Sequence, residues 1–298
     1  MKMPSVIKKY LLKALTPERY CRITTRLTPR VRARSLPLCR SLAGGRTGVE
    51  IGGPSRIFQP AGLLPLYPVA ARIDNCNFSS ATTWEGQLAE GLNFRFDRHC
   101  SPGYQYIREA SDLQGIADGH YDFLLSSHCI EHLANPLGAL REWQRVVRCG
   151  GVLILVTPHR EGTFDHRRPV TTPEHLLEDD RLQRPESDLT HLEEVLALHD
   201  LERDPGSTDA DGFRTRSIAN PENRCLHHHV FDTAAVIQML DHAGLELLAV
   251  EAVAPAEIIT VARRLQAGTA PDNSRYLGGS AEYRRTSPFA GDRWCPDA

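Results

Sequence analysis

The chain has 298 residues, a formal net charge of −2, 41% hydrophobic and 24% charged residues. This is the balance of an ordinary globular protein, with room for one large domain or two small ones. The near-zero charge argues against a nucleic-acid surface spread over the whole chain, and no run approaches the roughly 18 apolar residues of a membrane-spanning helix. The opening "MKMPSVIKKYLLKAL" has a basic flank but no long apolar core and no small-residue cleavage site, so it does not read as a signal peptide. The eight cysteines, at 21, 39, 76, 100, 129, 149, 225 and 295, form no C-x-x-C pair and read as reduced thiols of a cytoplasmic protein.

Residues 1–46 hold twelve Lys/Arg and one acid, Glu18, for a net +11; the remainder is net −13. In "VIKKYLLKAL", Ile7, Leu11, Leu12 and Leu15 share one helical face with Lys8, Lys9 and Lys13 largely beside it. The expectation is a basic N-terminal helical arm packed on the acidic body of this chain or of a second copy in a homo-oligomer. Weak peripheral contact with an anionic membrane is the alternative.

From residue 47 to 264, short apolar strands alternate with helices, the pattern of a wound α/β sheet. Strands are expected at Gly48–Gly52, Ala71–Asp74, near Tyr104–Arg108, Tyr121–Ser126, Val152–Thr157, Leu245–Val253 and Glu257–Ala262. "YDFLLSS" and "GVLILVT" lack a polar face, as central strands covered on both sides do. Between them, Asn135 caps a helix, Pro136 opens it, Leu137, Leu140, Trp143 and Val147 form its stripe, and Gly150-Gly151 end it. Another helix follows Asp232. The last two strands are joined by "APA", too short for a crossover, so they must be antiparallel. Residues 158–230, rich in His, Asp, Arg and Pro, read as an acceptor-binding insertion, and residues 265–298 as a mobile tail.

The first strand ends in "GVEIGGPSR". A phosphate-binding P-loop string is missing, and the dinucleotide fingerprint fails at Pro54 and Ile57. S-adenosylmethionine carries no phosphate. Its methionine end needs only a turn without bulky side chains, such as Gly52-Gly53, and Glu50 can meet its ammonium group. Asp74, closing "ARIDN", can accept from both ribose hydroxyls, and Asp112 in "EASDL" can receive the adenine amino group.

These stretches, together with "YDFLLSSHCIEHLANPLGALREWQRVVRCGGVLILVTP" and the closing hairpin, resemble the successive motifs of class I S-adenosylmethionine-dependent methyltransferases. The resemblance covers about Gly48 to Arg264 and is nearest to the branch that modifies small molecules and bacterial glycans. It implies a Rossmann-like seven-stranded sheet with an antiparallel last strand. It also implies that Glu50, Gly52 and Gly53 line the methionine end, Asp74 holds the ribose, Asp112 and Leu113 the adenine, and His128 sits near the sulfonium. Pro54 and Arg56 stand where the family usually has glycines.

Methyl transfer to a hydroxyl needs a base to take the proton in the transition state, and histidine is the usual choice. His159 lies just beyond the fifth strand. In "TFDHRRP", His166 is the expected base with Asp165 as its orienting acid, while Arg167 and Arg168 suit an anionic acceptor. The triplet His227-His228-His229 is expected to be structural. "HCIEH" resembles the E-x-x-E-H metal motif of some 2′-O-methyltransferases of small RNAs, with His128 replacing the first Glu. Non-metal members of the family also carry E-H here, and no metal is the leading expectation. The leading function is O-methylation of a sugar or glycan hydroxyl by a cytoplasmic enzyme that needs no nucleic acid. The alternatives are N- or C-methylation of another metabolite, or a non-catalytic binding subunit.

Overall fold

The computed structural model describes residues 31–96, 101–204, 206 and 209–293. The helix expected in "VIKKYLLKAL" and Cys21, Cys100 and Cys295 lie outside the described residues. Helix α1 (Leu36–Ala43) precedes β1 (Thr47–Ile51), and β2 (Arg72–Asn77) follows. Next come a small hairpin, β3 (Ala81–Thr82) with β4 (Gly86–Gln87), then β5 (Gly91–Phe94), β6 (Gly103–Ile107) and β7 (Tyr121–Ser127). Helix α2 (Pro136–Val146) leads into β8 (Val147–Pro158). The insertion carries α3 (Pro173–Leu182), α4 (Leu192–Leu198), α5 (Ala210–Ile218) and α6 (Asn220–Asn223). Helix α7 (Thr233–His242), β9 (Leu245–Val253) and β10 (Glu257–Arg264) complete the sheet, and α8 (Ser274–Leu277), α9 (Glu282–Thr286) and α10 (Ala290–Arg293) form the tail.

The sheet order is β5-β6-β2-β1-β7-β8-β10-β9. Strands β6, β2, β1, β7 and β8 are parallel, and β10 runs antiparallel between β8 and β9. This is the Rossmann-like wound sheet with a reversed last strand that the sequence implies. An eighth strand, β5, adds antiparallel to the β6 edge. It escaped the sequence reading because it is short, begins at a glycine and exposes Leu92.

Alternation of side chains along the strands builds two cores. One face carries Val49, Ile51, Leu124, Leu153 and Leu155 under α2 and α7, with Trp143 and Met239 fully buried. The other carries Ile73, Phe123, Leu125, Ile154 and Val156 under α1 and Tyr67. The uniformly apolar look of β7 and β8 follows from cover on both sides.

Asn135 caps α2, its Oδ1 accepting from the Gly138 amide at 2.8 Å. The helix stops at Val146, and Gly150-Gly151 do not end it. They lie inside β8, where the register against β7 jumps from Tyr121↔Val147 to Phe123↔Val152. Gly150 takes φ +73°, a left-handed value that favours glycine.

The expectation of a mobile tail is corrected over residues 265–293. Tyr276, Ala281 and Tyr283 join the α7–β9 core. Asn273 is buried and clasps β9, its Oδ1 accepting from the Leu247 amide at 2.7 Å and its Nδ2 donating to the Leu245 carbonyl at 2.9 Å. Removing a side chain that satisfies two buried backbone groups leaves both without partners. Asn273→Ala is therefore expected to cost about 2–3 kcal/mol in denaturant unfolding. An unchanged midpoint would mean that the tail does not brace the sheet.

Candidate functional site

A cavity of about 520 Å³ opens at the carboxyl ends of β1, β2, β6 and β7. This is the switch point of the sheet, where β1 lies between β2 on one side and β7 on the other. Wound sheets bind ligands there because the loops leaving the strands diverge. Gly52 forms the floor with φ +80°, and a Cβ on it would stand 3.3 Å from Cys129 Sγ. The β3–β4 hairpin closes one side with Trp84 and Glu85, and Arg224 and Glu257 close another.

The turn after β1 is held by side chains from beneath. Glu50 is fully buried, accepting from the Ser55 amide at 3.1 Å and from the Tyr67 hydroxyl. Burial pushes its carboxyl up to about 7, against the pull of those hydrogen bonds. Gly53 is gripped by Asn75, which accepts from its amide at 3.1 Å and donates to its carbonyl at 2.9 Å. Of the methionine-end trio, only Gly52 lines the cavity; Glu50 and Gly53 lie under the loop, where any Cβ on Gly53 would overlap the Glu50 carboxylate. Glu50 is thus a loop holder rather than a partner for the ammonium.

The expected nucleoside residues also need correcting. Asp74 is buried three residues before the strand ends. Its oxygens already accept from Arg72 (2.7 Å), the Tyr104 amide (2.8 Å) and the Tyr121 hydroxyl (2.9 Å). Asp112 is exposed, Leu113 is in the core, and neither lines the cavity. The cavity instead receives Asn77 and Phe78 at the end of β2, and Arg108, Glu109 and Ala110 after β6. Reading "RIDNCN" as one strand, with its last residue at the sheet edge, would have pointed to Asn77.

His128 lines the cavity with φ +50°. Its Nε2 lies 2.7 Å from Glu257 Oε2, and Glu131 Oε1 is 3.9 Å from its Nδ1. Burial works against its charge, but the bond to Glu257 and the charges of Glu131 and Glu257 outweigh that and raise it to about 9. His132 also lines the cavity. Burial, reinforced by the neighbouring His227, pushes it well below 6.5. His132 Nδ1 stands 3.2 Å from the Leu226 carbonyl, which can only accept, so the proton sits on Nδ1 and the lone pair on Nε2.

The three proposed catalytic residues lie elsewhere. His166 does not line the cavity; its Nε2 is 2.8 Å from Asp200. His159 is wholly buried, stacked on Phe289 at 3.8 Å and 3.3 Å from Asp292. Asp165 orients His227 instead of His166, with Oδ2 2.5 Å from His227 Nδ1. Burial opposes its charge, yet His227 and Arg168 hold it at about 2. Arg168 is buried against Asp165, Glu194 and the carbonyls of His227 and His228, Arg167 meets Asp200, and neither arginine lines the cavity. The His227 ring packs edge-on to His132 at 4.5 Å, and donor atoms of Glu131, His132 and His227 lie within 4.8 Å of one another. Both oxygens of Glu131 are buried without a hydrogen-bond partner among the described residues. Sequence reading placed Glu131 and His132 within the E-x-x-E-H likeness and missed His132 as a cavity residue.

Residues 91–155, from β5 into β8, match the family model described as a methyltransferase domain. The sequence matches no curated protein. Among solved structures it is similar to the trans-methyltransferase CalH in complex with SAH, at 16% identity and a TM-score of 0.43, covering 76% of this chain and 55% of that one. It is also similar to the S-adenosylmethionine dependent methyltransferase from Mesorhizobium loti, at 14% identity and a TM-score of 0.42, covering 78% and 98%. The chain thus spans about half the length of CalH. The sheet order itself defines the fold. The domain match, set on a wound sheet with a strand-end cavity, supports a methyltransferase. Among the described residues, no helix is long and apolar enough to cross a membrane.

The His128–Glu257 pair gives a pH test. With the folded value raised from 6.5 to about 9, the pair's stabilisation is complete below 6.5 and is lost as pH rises through about 9. The His128 imidazole resonances are expected to titrate near 9, and Glu257→Gln to bring the midpoint down toward 6.5. A wild-type midpoint near 6.5 would contradict this arrangement.

Proposed function

We propose that this chain transfers a methyl group from S-adenosylmethionine to a hydroxyl of the sugar or glycan class. The observation that carries the reading is the strand order around the cavity. Asn77, Phe78, Glu109 and Ala110 come from the ends of β2 and β6 on one side of the bare turn at Gly52, suited to the cofactor; His128 and Glu257 come from the end of β7 and the start of β10 on the other. Trp84 is 57% exposed, with its ring 5.6 Å from that of His132. An open aromatic face in a cavity also lined by Glu85, Glu257 and Arg56 suits a sugar ring, whose C–H face is apolar and whose rim is hydroxylated.

The sulfonium is already reactive, so the protein's work is alignment and removal of the hydroxyl proton. The Nε2 lone pair of His132 is the group available to take that proton. His227, braced by Asp165, packs against the His132 ring and fixes its plane. His128, held charged by Glu257, stabilises negative charge near the reacting oxygen and is not the base.

A second reading is favoured by the partnerless oxygens of Glu131. Glu131, His132 and His227 would hold a divalent ion, with Asp165 as the outer carboxylate on His227. Such an ion would lower the pKa of a bound hydroxyl.

His132→Ala is expected to reduce methyl transfer roughly 10²–10⁴-fold with cofactor affinity unchanged, and His166→Ala to leave it intact. Trp84→Ala is expected to raise the acceptor KM about tenfold, equivalent to about 1.4 kcal/mol. Steady-state kinetics with a panel of hydroxylated acceptors, beside cofactor calorimetry, reads all three. Full activity in His132→Ala would remove its role as base. Activity that disappears with a chelator and returns with a divalent ion would favour the second reading. Cofactor binding with no transfer to any acceptor would favour a non-catalytic subunit.

A further inference from the structure

The insertion holds a second cluster of histidines, none of which lines the cavity. His175 and Asp179 lie one turn apart on α3, His191 precedes α4, and His229 ends the histidine triplet. One donor atom from each lies within 4.8 Å of all the others. His175 Nε2 stands 3.1 Å from His191 Nε2 and 3.1 Å from Asp179 Oδ2, and His229 Nε2 is 3.8 Å from the same oxygen.

Hydrogen bonding alone does not account for this convergence. His175 Nε2 carries at most one proton in its neutral form, yet it faces both His191 and Asp179. The His229 side chain is fully buried, and neither of its ring nitrogens has a hydrogen-bond partner among the described residues. Asp179 Oδ2 is likewise buried without one. Unpaired buried polar atoms are costly, and here they aim at one point.

We propose that His175, Asp179, His191 and His229 form a structural divalent-metal site of the zinc class. Zinc takes imidazole and carboxylate ligands at about 2.0–2.1 Å in a tetrahedron, which sets its donors about 3.3 Å apart. The separations of 3.1, 3.1 and 3.8 Å bracket that value. Four protein ligands close the shell, the mark of a structural rather than a catalytic site. Outside it, Arg184 Nε lies 3.4 Å from Asp179 Oδ1, which leaves Oδ2 facing the imidazoles. The His175 side chain is 41% exposed and gives the ion a way in.

The site joins α3, the start of α4 and the segment at His229, which are far apart in sequence. His227, two residues before His229, bonds Asp165 and packs on His132 of the cavity. A metal here therefore fixes the segment that presents His227, and this role stands whether or not the methyl-transfer reading holds.

The test uses the full chain, stripped with a chelator and titrated with zinc(II) and, for spectroscopy, cobalt(II). The expected result is one tight zinc per chain, and the intense visible bands of four-coordinate cobalt. The melting temperature should rise with zinc and fall with chelator. His175→Ala, at a half-exposed position that leaves the fold intact by circular dichroism, is expected to weaken zinc binding by roughly 100-fold or more. His229→Ala should do the same. Glu131→Gln, in the other cluster, should leave this zinc in place. Equal affinity in wild type and His175→Ala would overturn the proposal. So would a cobalt spectrum of six-coordinate character, or loss of the zinc in Glu131→Gln alone.

Discussion

The buried carboxylate of Glu50 holds the turn by which the chain leaves β1. It receives the Ser55 amide and the Tyr67 hydroxyl, while Asn75 grips Gly53 through both its amide and its carbonyl. Asn77 adds a bond to the same carbonyl at 3.2 Å. A glycine-rich loop leaves room for a ligand by lacking side chains. Here one left-handed glycine, Gly52, keeps the mouth open, and polar groups under the loop fix the rest. That explains how Pro54 and Arg56 fit where further glycines would be expected.

The far side of the cavity depends on the reversal of the last strand. Because β10 runs against β8, its first residue, Glu257, arrives at the end of the sheet where β7 stops, opposite His128. The insertion is then pinned by imidazole–carboxylate pairs: His166–Asp200, His199–Asp204 and His227–Asp165, with His159–Asp292 tying β8 to the tail. Most of the histidines that give this region its catalytic look are thereby committed to structure. His132 differs, since its ring faces the cavity and its Nδ1 is anchored to a backbone carbonyl.

The strands were legible because their apolar runs are long and bounded by turn residues, and the short "APA" link dictated the antiparallel end. The four-residue β5 and the glycine bulge in β8 carry little local signal, so pairing with neighbours decides them. The tail was misread because low aliphatic content hides tyrosines and one asparagine that bind β9. At the site, Gly52 was found by its position at a strand end and His128 through the family resemblance. Asp74 was assigned to the ribose because the strand was ended there, whereas β2 runs on to Asn77. Adjacent strand residues face opposite ways, and Asp74 turns toward Tyr121, while Asn75 and Asn77 turn toward the loop. His166 was read as the base because its tertiary pairing with Asp200 cannot be read from neighbours in sequence.

The most direct measurement is a crystal structure of the chain with S-adenosylhomocysteine. The expected result is the nucleoside between Phe78 and the Glu109–Ala110 backbone, and the sulfur end beside Gly52 and facing His128 and His132. A ligand seated away from the ends of β1, β2, β6 and β7, or an empty cavity at saturating ligand, would contradict it.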